Sequence, residues 1–74
     1  MNSFPLNFSL EDGTRVSVYK VNDNCYEFHL TRLNSEKHNF FLTDGRIEES
    51  YETRFDKLQH EAVERFQKML SAAQ

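Results

Sequence analysis

The hydrophobic pattern of the chain changes period once. Through position 48 apolar side chains recur mainly at every second residue, whereas from Tyr51 to Ala73 they recur at steps of three and four. The first spacing predicts half-buried strands and the second an amphipathic helix. Phe4, Leu6, Phe8 and Leu10 alternate with Pro5, Asn7 and Ser9, a strand over 4–10. Pro5 has no amide proton to give a neighbour, so this strand belongs at a sheet edge. Glu11, Asp12 and Gly13 follow. A three-residue loop with Gly13 in the left-handed conformation sets Leu10 opposite Thr14, Phe8 opposite Val16 and Leu6 opposite Val18, all facing one way. A two-residue loop would set Phe8 opposite Ser17 and scatter them.

The second strand spans 14–21, and Asn22, Asp23 and Asn24 supply turn chemistry. The third, 25–33, points Tyr26, Phe28 and Leu30 inward and Cys25, Glu27, His29 and Thr31 outward. A polar turn at 34–37 precedes the fourth strand, 38–43, with His38 at the loop end. Phe40, Phe41 and Leu42 stand in succession there, so this strand is apolar on both sides. Asp44 and Gly45 signal another turn. Residues 46–48 are either a short fifth strand with Ile47 inward or the approach to the helix.

The helix is predicted over 50–73. Tyr51, Phe55, Leu58, Ala62, Phe66 and Met69 share one face, and Ser50 suits the N-cap with Thr53 three residues on. Glu48, Glu49, Glu52 and Asp56 suit the positive end of the helix dipole, Arg65 and Lys68 the negative end. Glu61 with Arg65 and Glu64 with Lys68, four apart, mark the solvent side. The helix is long enough to cross the sheet. The expected architecture is α+β: an antiparallel meander of four strands, or five, with one C-terminal helix packed across one face.

Composition adds constraints. Seventy-four residues make one domain near the lower limit for folding without disulfides or metals. Seven Phe and three Tyr compensate, since each aromatic buries about 150–250 Å². Nine Lys plus Arg against twelve Asp plus Glu give a net charge of -3 with the basic residues scattered, which argues against binding nucleic acid. The single Cys25 suits a reducing compartment, and residues 1–10 carry neither a basic n-region nor a continuous apolar run. The expectation is a cytoplasmic protein with no membrane partner and no nucleic-acid partner.

Catalytic and metal chemistry find little support. Gly13 and Gly45 are both explained by turns, leaving no phosphate-cradling loop or nucleophile elbow. Cys25 with His29 as base would need side chains four residues apart on one strand to meet, across roughly 13 Å of backbone. His60, with Asp56 and Glu64 one turn away on either side, has metal-ligand spacing, but a solvated helix face gives the same sequence. The acidic residues around 48–56 follow from the helix dipole. Phe8, Tyr26 and Phe28 alternate inward, away from any base-stacking role. The polar helix face is mixed and slightly acidic, unsuited to a membrane surface. No enzyme, metal or cofactor is expected.

The outer sheet face remains. Ser17 is expected beside His29 and Phe41, flanked by Arg15 with Thr31 and by Tyr19 with Glu27, with Val21 and Leu33 at the two ends. Arg15, Tyr19, His29 and Phe41 are the candidate interaction residues. The favoured function is a small interaction or regulatory module that binds a protein partner or forms a homodimer through this face. The alternative is a small-ligand binding or accessory enzyme domain with Arg15, Tyr19 and His29 as polar contacts.

Overall fold

The computed structural model describes residues 4–48 and 53–72. Five strands form an antiparallel meander: β1 Leu6–Ser9, β2 Arg15–Asn22, β3 Cys25–Thr31, β4 Lys37–Thr43 and β5 Arg46–Ile47. Their spatial order is their chain order, with β1 at an edge beside Pro5. A 3-10 turn, Thr53–Phe55, leads into the helix α1, Asp56–Ala72. The fold is α+β as expected, with the fifth strand formed.

Loop length sets the register. Leu10 N donates to Thr14 O at 2.8 Å and Gly13 N to Leu10 O at 3.0 Å, with Gly13 at φ 90°. Leu6 therefore pairs with Val18 and Phe8 with Val16, as the alternation requires. The β3–β4 loop repeats this geometry: Arg32 N donates to Glu36 O and Ser35 N to Arg32 O, each at 2.8 Å, with Ser35 at φ 70°. This closure ends β3 at Thr31, short of the expected 33. Leu33 enters the loop and lies against Gly13, where a Cβ would come within 3.0 Å of Leu33 Cδ1. His38, expected at a loop end, becomes a β4 residue opposite Leu30.

Asp44 and Gly45, at φ 52° and 77°, make the two-residue β4–β5 turn. Asp44 N donates to Asn24 O at 2.8 Å, tying this turn to the β2–β3 turn. A register shift between Lys20 and Asn22 places a bulge at Val21.

The core lies between the inner sheet face and α1. Val16, Val18, Phe28, Leu30, Phe40 and Leu42 meet Phe55, Ala62, Val63 and Phe66. Phe66 sits edge-on to Phe28 at 5.3 Å and to Tyr26 at 4.9 Å between ring centroids. The helix stripe differs from the expected one. Gln59 and Val63 are buried beside Ala62 and Phe66, Leu58 and Leu70 flank them, and Met69 is only half-buried. The reason is His38 on the sheet, whose Nε2 hydrogen-bonds Gln59 Oε1 at 2.7 Å and gives a polar residue a place in the stripe. Tyr51 and the expected cap at Ser50 lie outside the described residues.

Candidate functional site: the outer sheet face

Strand alternation sends the odd-numbered residues of β2, β3 and β4 away from α1. Pairing arranges them in rows across the strands. One row is Ser9, Arg15, Thr31 and Lys37; the next is Asn7, Ser17, His29 and Asn39; the third is Tyr19, Glu27 and Phe41. Thr31 beside Arg15, His29 beside Ser17 and Glu27 beside Tyr19 are placed as expected. Phe41 is displaced from its expected place: it stands opposite Glu27, and Asn39 takes the position beside His29. The early closure of the β3–β4 loop slides β4 by two residues, which preserves every side chain's face while changing its row.

Polar contacts organise the centre of the face. The His29 ring stacks at a tilt against Tyr19, centroids 4.7 Å apart. Glu27 Oε2 lies 3.2 Å from His29 Nε2. Nε2, itself shielded from solvent, makes no hydrogen bond, so the contact is not aligned for one. Ser17 Oγ donates to Asn7 Oδ1 at 2.7 Å. Thr43 Oγ1 lies 3.6 Å from Cys25 Sγ and 3.1 Å from Glu48 Oε1, the better acceptor.

The apolar share of the face stays open to solvent. Tyr19 is 40% exposed and Phe41 38%, on either side of Glu27. Val21, at the bulge, and Leu33, in the β3–β4 loop rather than on the expected third strand, are also exposed. Shallow depressions occur beside Arg15. One of about 410 Å³ includes Asn7 and Ser17, and one of about 210 Å³ includes Thr31 and Leu33. Neither includes Tyr19, His29 or Phe41.

Elsewhere the chemistry-bearing residues are dispersed. His60 is exposed on α1, and among the described residues no three His, Cys, Asp or Glu side chains gather as a metal site. Phe8, Tyr26 and Phe28 pack into or against the core. On α1 the pairs Glu61–Arg65 and Glu64–Lys68 form at 3.8 and 3.7 Å. Sequence reasoning missed a cluster at the start of the helix: His38 stacks on Phe55 at 4.4 Å, and Glu36 accepts Arg54 at 2.7 Å and Arg32 at 3.2 Å. Its only sequence signal is the pairing of β4 with β3, which depends on an inconspicuous loop.

The fold and this face define a small α+β meander domain with one sheet face against its helix and the other open. Among the described residues no helix is long and apolar enough to cross a membrane. Comparison with protein-family models, curated proteins and solved structures finds no match to the chain.

Proposed function

We propose that the protein is a non-enzymatic cytoplasmic interaction or regulatory module that binds another protein chain through the outer sheet face. The observation that carries this is the row Tyr19–Glu27–Phe41, where aromatic area remains exposed on the opposite side of strands whose inner side chains are buried. Aromatic side chains are enriched at protein interfaces relative to the rest of a protein's surface. Tyr19, His29 and Phe41 line neither of the depressions beside Arg15, which favours a protein surface over a small ligand held in a concave site. A non-enzymatic role is supported by Ser17, which pairs with His29 across the strands yet gives its hydroxyl to Asn7 Oδ1 rather than to the imidazole. The lone thiol of Cys25 supports a reducing compartment.

Backbone amide NMR tests this reading. Labelled protein is observed on concentration and on addition of unlabelled cell extract. Broadening or shifts confined to Tyr19, Glu27, His29 and Phe41 support it. Effects centred on the exposed side of α1, around Glu64 and Lys68, or no effect in either series, overturn it.

A further inference from the structure

The order of charges on the outer face bears on what covers it. Arg15 and Lys37 stand in one row on either side of Thr31, and among the described residues neither has a side-chain partner. Two residues along each strand, Tyr19 and Phe41 stand on either side of Glu27. The row between them holds Ser17, His29 and Asn39. Glu48, whose amide donates to Phe41 O at 2.9 Å, extends the acidic row, while Arg46 lies at the corner beyond it.

Resting on the outer-face reading above, we infer that the partner is a second copy of this chain, stacked face to face about a twofold axis that runs along the Ser17–His29–Asn39 row. That axis carries each flanking row onto the other. Arg15 then lies over the second copy's Tyr19, Lys37 over its Phe41 and Thr31 over its Glu27. Cations are attracted to aromatic faces, and a threonine hydroxyl donates to a carboxylate. An axis along β3 would instead set Glu27 on Glu27 and Arg15 on Lys37, like charge against like. The charge order selects the first axis, which also keeps the strands of the two sheets aligned, as stacked sheets about 10 Å apart require.

Four strands about 4.8 Å apart and seven residues of about 3.3 Å give a face of roughly 440 Å². Two such faces bury roughly 900 Å², below the usual 1,200–2,000 Å² or so of stable interfaces. The dimer is therefore weak and forms in concentrated solution.

Sedimentation equilibrium of complementary variants tests the axis. Glu27→Lys sets a cation against Thr31 between Arg15 and Lys37 of the second copy, and Thr31→Glu sets an acid on Glu27. Each alone should associate at least about ten-fold more weakly than wild type, and an equal mixture should recover association, because the two new charges then face each other. Tyr19→Lys with Arg15→Glu makes the same test if either variant loses the sheet signal in circular dichroism. A mixture no more associated than its components, beside a dimeric wild type, overturns this axis and leaves the outer-face reading standing. A wild type that stays monomeric to millimolar concentration overturns the second copy as partner, and the amide map then decides the outer-face reading.

Discussion

His38 Nε2 lies 2.7 Å from Gln59 Oε1, joining β4 to the buried side of α1. The His38 ring is also stacked on Phe55, so one side chain ties the sheet to the start of the helix by a hydrogen bond and an aromatic contact. Gln59 is 3% exposed and has little access to water as a substitute. Gln59→Leu should cost about 1–3 kcal/mol by leaving the imidazole without its partner. The double variant His38→Phe, Gln59→Leu should cost less than the sum of the singles. Urea denaturation of the four proteins measures this, and additive losses would show that the pair is not coupled.

Phe66 is the centre of the core, in ring contact with Phe4, Tyr26 and Phe28. Phe66→Ala should destabilise by about 3–5 kcal/mol, enough to unfold a domain of this size. Glu64→Ala, exposed on the other side of the helix, should stay within about 0.5 kcal/mol. Thermal melts compare the two, and equal midpoints would contradict the packing of α1 on the sheet.

Ser35 takes the left-handed position that Gly13 takes in the other three-residue loop, and a side chain is strained there. Ser35→Gly should stabilise by up to about 1 kcal/mol, and Gly13→Ala should destabilise by a similar amount. Chemical denaturation reads both; a loss of stability in Ser35→Gly would mean that the loop does not hold this conformation.

The same loop explains what was legible in the sequence. Around Gly13, loop length and alternation agree, and the pairing of Leu6 with Val18 and Phe8 with Val16 follows from them. Between β3 and β4 no glycine marks the left-handed residue, so the loop reads as starting at Asn34 and β4 is set two residues along. A shift of two leaves faces unchanged, which is why Arg15, Tyr19, His29 and Phe41 are legible as one surface while Phe41's row is not. Gln59 was hidden for a different reason: apolar periodicity cannot register a polar residue whose partner is distant in the chain.

Asp12 supplies a pH dependence. Its carboxyl is held below the usual carboxylate range by the Thr14 hydroxyl and by the Thr14 amide, which donates to Oδ1 at 2.9 Å. The hydroxyl lies outside hydrogen-bond geometry, so the amide is the oriented contact. A lowered folded-state value means that the ionised carboxylate stabilises the hairpin above the unfolded value of 3.8, and that this is lost as pH falls through the lower folded one. Wild type should therefore exceed Asp12→Ala in stability at neutral pH, by a margin that narrows below that range. Urea midpoints across pH check this, and a margin independent of pH would assign the effect to the loop alone.

The central claim is that the outer sheet face pairs with a second copy of the chain, and sedimentation velocity of wild type beside Phe41→Ser tests it most directly. Phe41 contributes exposed aromatic area to that face while Phe40 and Leu42 hold β4 to the core, so the substitution leaves the fold's interior untouched. From tens of micromolar to about millimolar protein, wild type should move from monomer toward dimer, and Phe41→Ser should remain monomeric with unchanged circular dichroism. Identical sedimentation of the two folded proteins across that range would contradict the account.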